Sequence, residues 1–236
     1  MITGPFKALV RHAGDWYVRR LCSNEFREQQ FTYHTERMIE YRFALDCLTR
    51  VRPETVLDVG TGTTAWPHLL ANCGFVTSAI DNIRDYWKND IVNRHWTVLD
   101  VDIANPGNFH GPFDAITCIS VMEHIEDHEN AVRQMLRLLA PGGLLVITTP
   151  YNQHEYCANV YKHPDALYGQ HLPYICRSHS AEHIEKWQKL GARLRRKEMW
   201  RLFSGPVWAT GRRIPWEQVQ SEDAPHQLGC FDFEKV

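Results

Sequence analysis

Paired cysteines and long apolar runs are both missing from this sequence. The seven cysteines are scattered along the chain, and no two of them form a Cys-x-x-Cys pair. An odd number of isolated cysteines argues against a disulfide framework and against a cysteine zinc site. Apolar runs of about 18 residues, which a membrane-spanning helix needs, do not occur. We therefore expect a cytoplasmic protein with reduced thiols and no membrane span.

The sequence also lacks a large excess of positive or negative charge. Lys and Arg number 26 and Asp and Glu number 28, so the formal net charge is −2. A chain so balanced has no overall attraction to nucleic acid or to anionic membranes. A local basic run, residues 193–201, is expected to be a solvated sheet edge. We expect no nucleic-acid partner, and the oligomeric state stays open.

The most informative stretch that is present spans residues 54–70. Val56, Leu57 and Val59 form an apolar run that leads into Gly60-Thr61-Gly62 and then into a segment that can be helical. This pattern predicts a buried parallel strand, a tight glycine turn and a helix start. Gly62 lacks a side chain where a ligand would approach the backbone. An ordinary strand-to-helix turn is the alternative.

Strand and helix patterns alternate through the rest of the chain. Strands are expected at 75–80, 96–99, 113–119 and 144–149, with amphipathic helices between them. Ser180 is expected to cap a further helix, and 194–214 reads as an antiparallel hairpin at the sheet edge. Such alternation predicts a doubly wound α/β domain with a mostly parallel sheet.

Polar residues stand at the ends of the predicted strands, where open α/β sheets bind their ligands. Asp58, Asp81, Asp102 and Ser120 all lie at or near such ends. Asp81 is placed to accept hydrogen bonds from ribose hydroxyls, and Asp102 with the Ile103 backbone could recognise an adenine. A lone aspartate there is also a common turn or cap residue. Several at successive strand ends predict a nucleoside site.

Five motifs carry a family resemblance: VLDVGTGT (56–63), AIDN (79–82), DVDI (100–103), FDAITCISVMEHIED (113–127) and LLAPGGLLVITTP (138–150). In this order they resemble the motifs of class I S-adenosylmethionine (SAM)-dependent methyltransferases. The resemblance implies a Rossmann-like, doubly wound, mostly parallel seven-stranded sheet with an antiparallel edge hairpin, and SAM as the cofactor. It covers residues 35–150 strongly and 178–214 only by general pattern.

The resemblance also implies cofactor-binding roles. Gly60 and Gly62 would approach the methionine end of SAM, and Asp58 would contact its amine directly or through water. Ser120 would lie beside the methionine portion. One departure is Thr64, which stands where the family usually has a third glycine.

At the nucleoside end, Asp81 would hold the ribose, with Asn82 beside it in the same motif. Asp102 and Ile103 would hold the adenine. The loop alone also satisfies G-x-G-x-x-A, so a nicotinamide-dependent oxidoreductase is the rival interpretation, and a catalytically silent binding protein is another. The later motifs favour methyl transfer.

Histidines supply the candidates for a general base, since their charge changes near neutral pH. His124 closely follows the fourth strand and is the first choice, and His171 is the second. His128 and His154 are the other candidates. A histidine hydrogen-bonded at a helix start is the alternative for His124. Glu123, His124 and His128 could also form a metal site, but a solvated helix surface is the simpler interpretation, and no metal is expected.

The chain divides into a cap or lid segment (1–34), a SAM-dependent methyltransferase domain (35–216) and an irregular tail (217–236). Residues 151–179 form an insert longer than the ~12–15 residues of an ordinary loop. Its tyrosines and histidines suit a polar organic ligand. We expect O-methylation of a small-molecule hydroxyl, with a sugar or glycan as the first candidate. A protein acceptor is the alternative.

Overall fold

The computed structural model describes residues 4–28, 35–83, 93–172 and 174–236. The chain forms two compact units, Met1–Met38 and Ile39–Val236. The first unit contains one long helix, α1 (Gly4–Glu28). The expected cap or lid, residues 1–34, falls within this unit, and its residues 1–3 and 29–34 lie outside the described residues. Its role as a lid stays a prediction.

The second unit holds a sheet with helices on both faces. Its strands are β1 (Thr55–Val59), β2 (Val76–Asp81), β3 (Leu99–Asp100), β4 (Phe113–Ile119), β5 (Leu139–Pro150), β6 (Ala192–Phe203), β7 (Arg213–Val219) and β8 (Leu228–Lys235). Its described helices include α2 (Arg37–Val51, which begins in the first unit), α3 (Trp66–Asn72), α4 (His128–Leu138) and α5 (Ala181–Lys189), with short 3₁₀ helices at Met122–His124 and Val160–Lys162.

The described strands form one sheet in the order β3-β2-β1-β4-β5-β8-β6-β7. The first five are parallel, while β8, β6 and β7 are antiparallel to their neighbours. This confirms the Rossmann-like, doubly wound class and the antiparallel edge hairpin, which is β6 with β7. Two strands lie later than expected: β7 begins only at the end of the expected span 194–214, and β3 shares only Leu99 with the expected strand 96–99. The sheet has eight strands rather than seven.

The extra strand, β8, corrects the expectation of an irregular tail over 217–236. β8 pairs with β5 on one side and with β6 on the other, so nearly all of it is buried. Phe231 and Phe233 pack on one face of the sheet, and Leu228 and Cys230 on the other. Asp232 interrupts these apolar residues, and the stretch before β8 is polar. The sequence pattern therefore hides a strand that tertiary pairing stabilises.

Alternation along the strands divides the core between the two faces of the sheet. In β5, Leu144 and Val146 join the cluster that includes the buried residues of α2 and α3. Leu145 and Ile147 join the cluster that includes those of α4 and α5. Since successive strand side chains point to opposite faces, a fully apolar strand supplies both cores. The helices thus cover both faces and leave the carboxyl ends of β1, β2 and β4 to carry the polar residues.

The basic run near the sheet edge is paired with acidic side chains. Its ion pairs are Arg193 and Arg195 with Glu234, Arg196 with Asp46 and Glu198, Lys197 with Glu222, and Arg201 with Glu217. The positive charge of this run is therefore locally balanced.

Candidate cofactor and active site

The glycine loop after β1 contains two glycines with different tasks. Gly60 has a φ of +73° and Gly62 a φ of +57°, a conformation that L residues with side chains rarely adopt. A Cβ on Gly60 would lie 2.4 Å from both Val121 methyl groups, whereas a Cβ on Gly62 would have nothing within 4 Å. Gly60 therefore makes room for Val121, and Gly62 borders open space that a ligand can enter.

Asp81 joins the end of β2 to this loop. Its Oδ2 accepts a hydrogen bond of 2.6 Å from the Gly62 backbone N–H. The loop is also held by Asn93, whose Nδ2 donates to the Gly62 and Thr64 carbonyl oxygens at 2.9 Å each. The Thr64 hydroxyl donates to the Thr61 carbonyl at 2.9 Å. The departure at Thr64 thus adds a hydrogen bond inside the loop. Sequence reasoning missed Asn93, which no motif marks.

Asp58 lies beneath the loop and is 2% exposed. Its two carboxylate oxygens accept hydrogen bonds from the Thr61 hydroxyl at 2.7 Å and the Thr117 hydroxyl at 2.8 Å. The Trp66 indole N–H donates to Thr117 Oγ1 at 3.2 Å. This buried network fixes the loop to β4. The expected contact of Asp58 with an amine stays a prediction.

The expected adenine residues follow β3. Val101 N–H donates to the Asp81 carbonyl at 3.0 Å, so the segment runs beside the end of β2. Asp102 Oδ1 accepts from the Ala104 N–H at 2.8 Å, which makes it a turn residue, and Ile103 is buried in the core. Asn82 is half-buried next to Asp81. The ligand roles of these residues stay predictions.

Ser120 ends β4 and contacts a carboxylate that sequence reasoning missed. Its hydroxyl donates to Glu40 Oε1 at 2.6 Å, and the Thr148 hydroxyl donates to the same oxygen at 2.7 Å. Glu40 is fully buried on α2. A signal was available, because Glu40 shares the apolar stripe of Phe43 and Cys47 at helical spacing. An acidic residue on a buried helix face indicates a polar partner inside the protein.

His124 lies just after Ser120, in the 3₁₀ helix at Met122–His124. Its Nδ1 is 2.6 Å from the Ile175 carbonyl oxygen of the insert. Because a carbonyl only accepts, Nδ1 carries the proton, and in the neutral ring Nε2 is the basic nitrogen. His124 Nε2 is 4.0 Å from Glu123 Oε1, and the ring meets Tyr174 edge-on at 5.1 Å between centroids. The side chain is 23% exposed. His124 is therefore a candidate base that has a fixed tautomer and access to solvent.

His128 does not lie on a solvated surface as the sequence indicated. It packs with His179 and His183 at ring-centroid distances of 5.0 and 5.3 Å. Burial lowers the pKa of His128 to about 4, lowers that of His179 well below the ordinary value, and also lowers that of His183. All three are therefore neutral near pH 7. Among the described ranges, no group of three or more His, Cys, Asp or Glu residues is arranged to hold a metal ion.

The remaining two histidine candidates are on the surface. His171, the second choice as a base, has an exposed side chain in the insert. His154 is 65% exposed and lies 3.8 Å from Asp223. The structure thus brings His124, Ser120, Val121 and Gly60 together and gives no such contact for His171. Its catalytic role stays a prediction without structural support.

Comparison with known proteins identifies the family. A family described as a methyltransferase domain matches residues 25–196. Two curated relatives are the ubiquinone biosynthesis O-methyltransferases of Xanthomonas oryzae pv. oryzae (strain PXO99A), 34% identical over 102 residues, and of Alkalilimnicola ehrlichii, 26% identical over 115 residues. These matches cover 40% and 45% of this chain and 42% and 46% of the relatives. The matched part therefore spans less than half the length of these relatives.

Solved structures agree at the level of the fold. The Burkholderia thailandensis 1,6-didemethyltoxoflavin-N1-methyltransferase, solved with S-adenosylhomocysteine, has a TM-score of 0.58 at 12% identity and covers 100% of this chain and 92% of its own. The N-methyltransferase NodS from Bradyrhizobium japonicum WM9, also solved with S-adenosylhomocysteine, has a TM-score of 0.53 at 16% identity and covers 93% and 97%. The glycine loop allowed two interpretations, a methyltransferase and a nicotinamide-dependent enzyme, and the family match favours the methyltransferase. The chain belongs to the class I SAM-dependent methyltransferases.

Proposed function

We propose that this chain transfers the methyl group of SAM to a hydroxyl oxygen of a polar small molecule, with His124 as the general base. The single observation that carries the proposal is the fixed tautomer of His124, which leaves Nε2 basic at the end of β4. The relatives named as O-methyltransferases support oxygen as the acceptor atom.

The residues around the glycine loop fit SAM. Open space borders Gly62, and the Asp81 carboxylate lies beside it, as a ligand with ribose hydroxyls requires. Asp81, Asn82, Asp102 and the Ile103 backbone would hold the nucleoside. When bound, SAM supplies a methyl group on a positively charged sulfonium.

The residues of the chain would position the acceptor and accept the proton of its hydroxyl group. As the acceptor oxygen takes the methyl group, its proton moves to His124 Nε2. The imidazolium that results is favoured by the Glu123 carboxylate, which is 4% exposed and 4.0 Å away. Glu123 also accepts a hydrogen bond from the Thr149 hydroxyl at 3.3 Å, which limits its movement.

The insert would bind the acceptor. Next to His124, Tyr174 begins a row of aromatic rings that continues through Tyr161 (6.1 Å), Tyr168 (6.4 Å) and Trp208 (5.6 Å between centroids). Tyr161 and Trp208 are buried in the core, whereas Tyr168 is 39% exposed and Tyr174 is half-buried, so the last two rings are the accessible ones. Their faces and edges suit a ring-shaped polar molecule. A sugar and a phenol both meet this description, and the sugar or glycan is the candidate that the sequence first indicated.

The experiment is transfer of labelled methyl from SAM to separate panels of phenols, nucleotide sugars, glycans and proteins. We expect label on a phenol or a sugar oxygen. His124→Asn keeps a donor toward Ile175 but removes the base, so kcat should fall about 100-fold or more with SAM affinity retained. His154→Asn is the control on an exposed histidine. Full activity of His124→Asn, or label only on protein, would overturn the proposal.

A further inference from the structure

Helix α1 displays large apolar side chains to solvent. Side chains 4–20 are all exposed, including Leu9 (65%), Trp16 (62%), Tyr17 (57%), Val10 (55%) and Phe6 (54%). Single exposed apolar residues are ordinary, but these five lie on one helix. A group of exposed apolar side chains on one helix indicates a surface that binds a partner.

These apolar residues share one face of the helix. Phe6, Leu9, Val10, Trp16 and Tyr17 follow the i, i+3, i+4, i+10, i+11 spacing, with Ala13 at i+7. At about 100° per residue they occupy an arc of about 120°. We call this arc the aromatic face. It contains Trp and Tyr, two side-chain types that favour a membrane–water interface. Val18, also apolar and 56% exposed, points away from it.

The charges on α1 are distributed asymmetrically. Over its whole length α1 has five basic residues, Lys7, Arg11, Arg19, Arg20 and Arg27, and three acidic ones, Asp15, Glu25 and Glu28. Up to Asn24 the count is four to one. Asp15 and Arg11 both lie about 160° from the centre of the aromatic face, whereas Arg20 lies within it. The Arg20 guanidinium stands 5.7 Å from the centre of the Trp16 ring. Asp15 and Arg11 would thus face water, while the Arg20 cation and the Trp16 indole share the apolar side.

We infer that the aromatic face of α1 lies on the surface of an anionic lipid bilayer. A helix with Trp, Tyr, Phe and Leu along one face and a net positive charge matches the chemistry of such an interface. The rings enter the headgroup region, and Arg20, within the face, meets lipid phosphates together with Lys7 and Arg19 at its flanks. Charge complementarity favours this partner over a second copy of the chain, because two basic helices repel each other. Among the described helices, none has the length and apolarity needed to cross a bilayer. The inference places the helix on the membrane surface and is independent of the methyl acceptor.

The test is flotation of the full chain with vesicles of phosphatidylcholine alone and with about one third phosphatidylglycerol. The wild type should bind the phosphatidylglycerol vesicles and bind them less at high salt. Trp16→Glu should reduce the bound fraction roughly tenfold or more. Val18→Glu adds the same charge on the opposite face and should reduce it far less. Circular dichroism of both variants checks that the helix persists.

Three outcomes would overturn the inference. The first is that the wild type fails to bind anionic vesicles, and the second is that Trp16→Glu and Val18→Glu lose binding equally. The third is that Trp16→Glu changes the sedimentation mass or the KM for the methyl acceptor without changing vesicle binding, which would assign the face to self-association or to a lid. SAM titration of each variant separates these outcomes from failure of the proposed methyl transfer.

Discussion

The carboxylate of Glu40 on α2 accepts a 2.6 Å hydrogen bond from the hydroxyl of Ser120, the residue that ends β4. Ser120 has a φ of +51°, a conformation that costs energy for a residue with a side chain. Its N–H also bonds to the Thr148 carbonyl at 3.0 Å. The buried carboxylate thus holds the turn between the sheet and the His124 segment, so a helix residue without a motif shapes the site.

Glu40→Gln should lower the free energy of unfolding by about 1–3 kcal/mol, because the two hydroxyls then donate to a neutral amide oxygen instead of a charged carboxylate oxygen, and the amide nitrogen places donors where a buried oxygen stood. Urea unfolding measures this. Glu126→Gln, at an exposed position, is the control and should change stability by less than about 0.5 kcal/mol. Equal stabilities of the two variants would mean that the Glu40 contacts contribute nothing.

Gly60→Ala should destabilise the protein more than Gly62→Ala. Both positions have positive φ, but only a Cβ on Gly60 would collide with Val121. We expect about 2–4 kcal/mol for Gly60→Ala and about 1–2 kcal/mol for Gly62→Ala. Adding Val121→Ala to Gly60→Ala should recover part of the loss. The reverse order of the two alanine variants in urea unfolding would contradict the assignment of Val121 as the neighbour.

Stability should fall as the pH falls below about 6.5, the ordinary histidine pKa. In the folded state, burial lowers the pKa of His128 to about 4 and those of His179 and His183 below the ordinary value. The unfolded chain therefore binds protons first, and the stability held above pH 6.5 is lost progressively toward pH 4.

Thermal unfolding across this range measures the effect. His128→Gln should flatten the decline of Tm with acidity, whereas His154→Gln, at an exposed site, should leave the slope unchanged. A slope for His128→Gln equal to that of the wild type would show that the histidine cluster does not titrate on unfolding.

The sequence predicts those parts of the fold that depend on the local pattern of residues. Alternating strands and helices, the glycine turn and the polar strand ends are local features, and each is present, although β3 and β7 lie later in the chain than expected. β8 escapes such reasoning, because Asp232 interrupts its apolar residues and its burial comes from pairing with β5 and β6. Likewise, His128 reads as a surface residue until α5 brings His183 against it. Contacts between segments that are distant in sequence determine the burial of β8 and of His128. The spacing of residues along the chain does not predict such contacts.

The most direct test of the account is calorimetric titration of the protein with SAM, S-adenosylhomocysteine and NAD. We expect SAM and its demethylated product to bind and NAD not to bind. Asp81→Ala removes the carboxylate beside Gly62 and should weaken binding of both by at least about tenfold. Asp223→Ala, whose side chain is 93% exposed, should bind normally. Binding of NAD alone, or full SAM affinity in Asp81→Ala, would contradict the assignment of this site.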